Sequence, residues 1–597
     1  MTRLCRLLCL AAPALAWTLA PAQEAVSAPS RPAGSPAVPS ASTADLQTTP
    51  AGPIALPPAS LPTEIATLLA DPAVARDHWG IMVTSLDGAL IYALNQDQLF
   101  QPASNVKLFT TAAALSRLGA SHHFETQVVA SGDLKNGTLH GDLKLIGGGD
   151  PSFGTADLPY TPPSERPKTQ PGSPLSPADT AKPPHPIADI EELADKVYAS
   201  GLRRIDGDVV GDDWRFTWEP YPPDWSLDDM VYGYAAPVSA LSIHDNEVEV
   251  KVSPGTPSTD PAVFMASISL NPDVPYYDIE DKVYLALATQ PHNCDDNVNF
   301  QRDLGSKHLL VYGSLGAKEP ACTQTIAIAD PAEYAAMAFK AALERRGITV
   351  SGTAKAKHLV WNYPDPSTRV DPIAQQGLAG WLHSAYQDEP KFYDCMAQRL
   401  SSDDNRPETL LATHTSKPLS ADVTYTLKTS QNLHAEIMLR DVGAVAGCEH
   451  TQASGLTVMR GFLPYIGIDP HDFFLVDGSG LSSHDLVTPR AIAKLLSYAA
   501  RDPNTGQPQP WFPVWKASLP IGGVDGTLAS RFTEPPLKGR VFAKTGTLGE
   551  ARALSGYLDC ASGRTVIFSI MVDNHLPGDS SDRAAMDRIV AAIQQSQ

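Results

Sequence analysis

Pro102-Ala103-Ser104-Asn105-Val106-Lys107-Leu108-Phe109-Thr110-Thr111-Ala112-Ala113-Ala114-Leu115 is the stretch around which the chain is organised. Pro102 and Ser104 are residue types favoured at a helix N-terminus. Leu108 to Leu115 is apolar and alanine-rich, so the helix is predicted to be enclosed. At about 3.6 residues per turn, Ser104 and Lys107 share one face. An ammonium buried without a partner is costly, so a lysine in this position needs a use. The pair reads as a nucleophilic serine and the amine that activates it.

Working outward, residues 79–86 and 89–94 flank Asp87-Gly88, a hairpin signal that leads straight into this helix. A short helix over 61–69 precedes it, with Ile65, Leu68 and Leu69 on one face. Downstream, strands are expected at 125–129, 141–146, 204–210 and 248–252, with short β runs at 283–287 and 308–312. Helices are expected at 187–200 and 331–346. After Val423 come helices at 432–439, 456–465, 489–500 and 582–593, and strands at 475–481, 541–547, 554–558 and 565–572. The terminal strands must pair with the hairpin at 79–94, so one domain is split by a long insertion. The expected boundaries are 61–123 and 413–597 for the split domain, 124–249 and 326–364 for an inserted domain, and 250–325 for a domain nested within it. Residues 160–186 are Pro-rich and read as a disordered surface insertion, and 365–412 are irregular and polar and read as a second.

The 597 residues are 43% apolar, ample for several cores, and carry a net charge of −21. An acidic chain without a basic cluster argues against nucleic acid or anionic lipid as partner. Arg3, Arg6, the apolar stretch 7–20 and Ala20-Pro21-Ala22 have the layout of a secretory signal over 1–22, with cleavage after Ala16 as the alternative. Its about 14 apolar residues fall short of a membrane span. Residues 23–60 read as a disordered tether rich in Pro, Ala, Ser and Thr. A soluble extracytoplasmic chain, periplasmic or otherwise secreted, is expected. Of seven cysteines, Cys5 and Cys9 fall in the leader. The other five leave at least one thiol unpaired, and Cys294 and Cys322, nearest in sequence, are the expected pair. No HExxH or CxxC occurs, and the 16 histidines make no metal-ligand spacing, so neither metal nor cofactor is expected.

Two further motifs share the chemistry of Ser104-Asn105-Val106-Lys107: Ser430-Gln431-Asn432 and Lys544-Thr545-Gly546. Each alone is weak, but the trio in this order marks penicillin-binding proteins and serine β-lactamases. A serine hydroxyl needs a base, and Lys107 serves if burial and a neighbouring cation lower its pKa. Lys544 supplies that cation and attracts a substrate carboxylate. Ser430 relays a proton to the leaving amine, and Asn432 holds the substrate amide. The backbone N–H groups of Ser104 and Thr547 can form an oxyanion hole. The strand carrying Lys544, Thr545, Gly546 and Thr547 can pair with an extended peptide.

With these motifs, and with Asp477-Gly478-Ser479-Gly480-Leu481-Ser482 and Gly523-Val524-Asp525-Gly526-Thr527-Leu528, the chain from about residue 61 resembles the D-alanyl-D-alanine carboxypeptidase/endopeptidase family of the penicillin-binding protein 4 type. That resemblance implies an α/β multidomain fold: a β-lactamase/transpeptidase-like split domain, an antiparallel sheet with flanking helices, carrying inserted β-rich domains. About 320 residues separate Lys107 from Ser430, where the family carries its insertions. It also implies acylation of Ser104 by a peptidoglycan stem ending in D-Ala-D-Ala, hydrolysis of the acyl-enzyme, and β-lactam antibiotics as inhibitors. Asp229 and Tyr234 stand where the family holds the free end of a diaminopimelate. Ser483 and Gly549 stand where a basic residue and a Gln belong. A serine β-lactamase shares the trio but lacks the long insertion, and no ExxLN motif is present. A GxSxG esterase fails on spacing, and intact motifs argue against a catalytically dead wall-binding protein.

Overall fold

The computed structural model describes residues 60–155, 158–165, 186–255, 266–286, 297–360, 406–443 and 450–597. The expected leader, the tether, Cys294 and most of both extra insertions lie outside these residues.

α1 (Leu61–Leu69) buries Leu61, Ile65 and Leu68. β1 (His78–Ser85) and β2 (Leu90–Leu94) form the hairpin, with Gly88 at φ +84° in its turn. A 3-10 turn at Ala103–Asn105 runs into α2 (Val106–Arg117), in which every residue from Val106 to Leu115 is buried. The chain then departs through β3 (Glu125–Lys135), β4 (Thr138–Ile146), α3 (Ala188–Ala199), β5 (Arg204–Ile205) and β6 (Val209–Thr217). β7 (Glu247–Ser253), β8 (Ser267–Asn271), β9 (Asp278–Ala286), β10 (Val298–Gln301), β11 (His308–Gly316) and β12 (Cys322–Ala327) follow. α4 (Pro331–Arg345) starts at Asp330, whose carboxylate accepts the Glu333 N–H at 3.0 Å. β13 (Thr349–Val350), β14 (Ala354–Leu359) and β15 (Glu408–Thr415) complete the excursion. The return comprises α5 (Leu419–Thr429), α6 (Asn432–Gly443), α7 (Gln452–Tyr465), β16 (Phe473–Phe474), β17 (Leu486–Val487), α8 (Pro489–Ala500) and α9 (Phe512–Ser518). It ends with β18 (Val541–Thr547), β19 (Ala551–Asp559), β20 (Thr565–Asp573) and α10 (Ser581–Ser596).

The central sheet has the order β18-β19-β20-β1-β2. The N-terminal hairpin thus completes a sheet made by the C-terminal strands, with Ile81 opposite Ile570. One face packs on α2, α7 and α8 through residues such as Phe109, Phe462 and Leu495. The other packs on α1 and α10 through Ile65, Phe568 and Ile589. A second core, with Ile190, Leu193 and Phe339, lies between α3, α4 and the sheet built on β3 and β4. A third joins the sheets β10-β11-β9 and β12-β7-β8. Val248, Val250 and Val252 alternate inward along β7 with no exposure.

The structure corrects three expectations. Residues 475–481 are not a strand: only Phe473–Phe474 pairs, and the rest winds around the Asp477 carboxylate. Glu408–Thr415, counted in the irregular segment 365–412, is a strand antiparallel to β3. Its apolar residues, Leu410, Leu411 and Ala412, are consecutive rather than alternating, so the sequence shows no strand period there. The strand at 248–252, which the expected boundary at 249/250 divides, pairs along its whole length with β8 and β12, in a sheet whose strands span 247 to 327. Tyr160, at the start of the Pro-rich segment, is docked, its hydroxyl accepting the Gly526 N–H at 2.8 Å. Cys322 is disulfide-bonded, and Cys560 is free and buried.

Gly80 fixes how the hairpin meets the segment leading to Ser104. A Cβ there would stand 2.3 Å from the Phe100 ring and 2.9 Å from Pro489. Gly80→Val is expected to destabilise the protein by about 1–3 kcal/mol through overpacking, read as a fall in the denaturation midpoint.

Candidate active site

Ser104 sits on the 3-10 turn, partly exposed, one turn ahead of the fully buried Lys107. The turn is strained, with Ala103 in left-handed conformation at φ +46°. Two glycines clamp it. A Cβ on Gly480 would stand 1.8 Å from the Ala103 carbonyl oxygen, and one on Gly546 would stand 2.5 Å from that of Pro102. The Asn105 amide donates to the Lys544 carbonyl at 3.2 Å and ties the turn to β18.

Lys107 Nζ lies 2.9 Å from Ser104 Oγ, 2.6 Å from Asn432 Oδ1 and 2.7 Å from the Ser479 carbonyl. Burial lowers its pKa to about 7, with Asp477, Glu436 and Asp485 pulling the other way. Lys544 Nζ donates to Ser430 Oγ and to the Thr545 carbonyl, both at 2.8 Å. Burial, and then the like charge of Lys107, push Lys544 well below the usual lysine range. Ser430 ends α5 in left-handed conformation at φ +65°, which turns its hydroxyl away from the helix path. The five residues Ser104, Lys107, Ser430, Asn432 and Lys544 therefore meet as two linked lysine–serine pairs. Thr545 Oγ1 bonds Thr527 Oγ1 at 2.8 Å, and Thr547 is exposed on β18, the edge strand of the sheet. Gly549 has open space around it, and Ser483 offers its carbonyl to Gln101 at 3.0 Å.

Three buried acids stand behind Lys107, and sequence reasoning assigned them no role. The Asp477 carboxylate accepts N–H groups from Ser479, Gly480 and Ser482 at 3.0, 2.6 and 2.8 Å. This wrapping aims the Ser479 carbonyl at Lys107. Asp485 accepts the Val476 N–H at 2.7 Å, and Glu436 accepts that of Gly478 at 2.8 Å. Burial, and then Asp477, push Glu436 up to about 7 and Asp485 well above its usual range. Of the three, Asp477 accepts the most backbone donors.

The inserted domain reaches the same cluster. Trp225 Nε1 donates to Asp477 Oδ2 at 3.0 Å, and Asn432 Nδ2 donates to the Tyr234 carbonyl at 2.8 Å. Tyr234 in turn donates its hydroxyl to Asp229 Oδ1 at 2.7 Å. Asp245 bonds Tyr425 at 2.8 Å, Gln431 at 3.2 Å and His434 at 3.0 Å. His434 is fully buried. Burial lowers its pKa, but Asp422 and Asp245 outweigh it and raise the ring to about 10, so it stays charged between them.

A serine hydroxyl held by a buried amine, beside a second lysine on an open strand edge, defines a serine acyl-transfer site. The chain belongs to the D-Ala-D-Ala carboxypeptidase 3 (S13) family, whose profile matches residues 61–362 and 397–595. It is 30% identical over 525 residues to a D-alanyl-D-alanine carboxypeptidase of Actinomadura sp. (strain R39), covering 86% of this chain and 80% of that one. It is 26% identical over 500 residues to D-alanyl-D-alanine carboxypeptidase DacB of Haemophilus influenzae, covering 82% and 84%. The crystal structure of penicillin binding protein 4 (dacB) from Haemophilus influenzae shares the fold at a TM-score of 0.65 and 22% identity, covering 89% of this chain and 98% of that one. The protein is accordingly a serine-type D,D-peptidase, a hydrolase.

Trp225→Phe removes the donor to Asp477 while keeping an aromatic ring. A hydrogen bond to a charged group contributes about 1.5–3 kcal/mol, and 1.4 kcal/mol is a factor of about 10 in rate. Stopped-flow acylation by a chromogenic β-lactam is expected to slow by about tenfold or more, with far-ultraviolet circular dichroism unchanged.

Proposed function

We propose that the protein cleaves D-Ala-D-Ala ends, or the equivalent cross-links, of peptidoglycan stem peptides in an extracytoplasmic space, with Ser104 as nucleophile. The observation that carries this reading is the 2.9 Å contact between Ser104 Oγ and a Lys107 amine with no exposure to water. An amine with a pKa of about 7 is half neutral near neutrality and can accept the Ser104 proton. The Ser104 oxygen then bonds to the carbonyl carbon of the penultimate D-alanine. The N–H groups of Ser104 and Thr547 stabilise the oxyanion. As the C–N bond breaks, the proton taken up by Lys107 is relayed through Ser430 to the nitrogen of the leaving D-alanine, which leaves Lys107 neutral for the attack of water. Water then attacks the ester and restores Ser104.

Lys544 and Lys107 share one electrostatic problem, because two ammoniums this close repel each other. A substrate carboxylate arriving at Lys544 draws a proton to it. The resulting charge holds Lys107 neutral, so substrate binding itself arms the base. Asn432 holds the substrate amide, and Thr545, Gly546 and Thr547 offer a strand edge to the peptide. Asp229 and Tyr234, hydrogen-bonded to each other, face the stem side chain. β-Lactams enter as mimics of the same carbonyl and acylate Ser104. Support comes from the family match and from a Dictyostelium discoideum relative named penicillin-sensitive carboxypeptidase A, 24% identical over 542 residues. Among the described residues no helix is long and apolar enough to cross a membrane.

Ser104→Ala is expected to abolish labelling by fluorescent penicillin and release of D-alanine from a stem pentapeptide. Retained labelling of that variant would show that another residue is acylated. The second-order rate of wild-type acylation, which reports the free enzyme, is expected to rise with pH through about 7 and level off above it, since the neutral amine is the base. A flat profile between pH 6 and 8.5 would remove Lys107 from that role.

A further inference from the structure

A second cluster of chemically active side chains shares no residue with the catalytic group. It lies where α3 of the inserted domain meets β15. Asp189 and Glu192, three apart on α3, occupy one helix face. His414 projects from β15 beside them. One ligand-capable atom from each lies within 4.8 Å of the other two. They line a cavity of about 510 Å³ whose wall also includes Ser152, Thr155 and the backbone of Gly154.

His414 is the unusual member. Its side chain is only 14% exposed, yet it sits between carboxylates at distances too long for hydrogen bonds. Nδ1 is 3.9 Å from Asp189 Oδ1, and Nε2 is 4.0 Å from Asp150 Oδ2. Asp150 is 1% exposed, and its Oδ2 is buried without a hydrogen-bond partner. Its other oxygen is satisfied by the N–H and hydroxyl of Ser152. A buried carboxylate oxygen aimed at an imidazole is the outer-shell arrangement that orients a metal-ligating histidine. Two ligand atoms each about 2.1 Å from one zinc ion stand about 3.4 Å apart in a tetrahedral site, so the 3.9 Å between Nδ1 and Asp189 closes slightly on binding.

We propose that Asp189, Glu192 and His414 form a divalent-metal site of the zinc class, with Asp150 orienting His414 from behind. Two carboxylates and one neutral imidazole match a dication in charge and suit zinc, cobalt or manganese by donor type. Asp189 Oδ2 is already fixed by the Gly154 N–H at 2.7 Å, which leaves Oδ1 to face the ion. The competing cation is Lys196. Its Nζ contacts Glu192 Oε1 and the Thr413 carbonyl, both at 2.8 Å. A bound metal displaces this ammonium from Glu192 and leaves it on the carbonyl. The ion would pin α3 to the strand that leads, through Ser416, into α5 and Ser430.

The test uses the full chain, stripped with a chelator and dialysed against zinc chloride, with bound metal counted by mass spectrometry. Cobalt substitution adds a visible absorption band that reports ligand geometry. Wild type is expected to bind one zinc equivalent that Asp189→Asn and His414→Ala each weaken by tenfold or more. Glu192→Gln, at a more exposed position that tolerates substitution, carries the test if either of those fails to fold by circular dichroism. Lys196→Met is expected to tighten binding by removing the competitor. Absence of zinc binding by wild type, or unchanged stoichiometry and affinity in the variants, overturns the proposal.

Discussion

The amine of Lys107 has no contact with water, and the rest of the molecule answers that constraint. It is held by Ser104, Asn432 and Ser479, which come from three distant parts of the chain. Removing any of these leaves a buried nitrogen short of a partner, a cost of about 1–3 kcal/mol. Burial also sets its chemistry. Lys107 binds fewer protons folded than unfolded between about pH 7 and its free value of 10.5. Its burial therefore costs less stability as pH rises through that window, which is also where it serves as a base. Stability and reactivity respond to the same titration.

The inserted domain belongs to this arrangement. Asp245 and its neighbours His244 and Asn246 are all left-handed, at φ +55°, +49° and +53°. Such a run is held only when its surroundings demand it. Here it delivers a carboxylate to Gln431 and His434, the residues around Asn432. Arg215 adds bonds to Asp441 on α6 at 3.1 Å. The two lysines and the nucleophile come from the split domain, but the loops that orient them are braced from outside it.

Much of the candidate site was legible because its residues fall in short motifs within single elements. Ser104 and Lys107 are one helical turn apart, and Lys544 lies within a strand that opens on the plainly apolar Val541, Phe542 and Ala543. The hairpin at Asp87-Gly88 and the strands 554–558 and 565–572 were legible for the same local reason. The acids behind Lys107 were not. Asp477 looked like the end of a strand because Leu475 and Val476 are β-formers, and only the wrapped N–H groups show otherwise. Trp225, Asp245 and His434 gave no local signal, since their roles exist only once the excursion folds back. The cluster of Asp189, Glu192 and His414 has no mark in sequence spacing, because its members come from two elements far apart in the chain.

The pairing of β1 with β20 has a consequence for when the site can exist. During synthesis the N-terminal hairpin emerges early, yet the strand that flanks β1, Thr565–Asp573, is among the last made. Lys544, on β18, also arrives late. The inserted sheets close on themselves and need nothing beyond Thr415. The chain therefore carries Ser104 without its surroundings until β18 and β20 have both been made. Loss of the last strand by truncation would take away reactivity together with the fold, so an incomplete copy has no means of cutting anything.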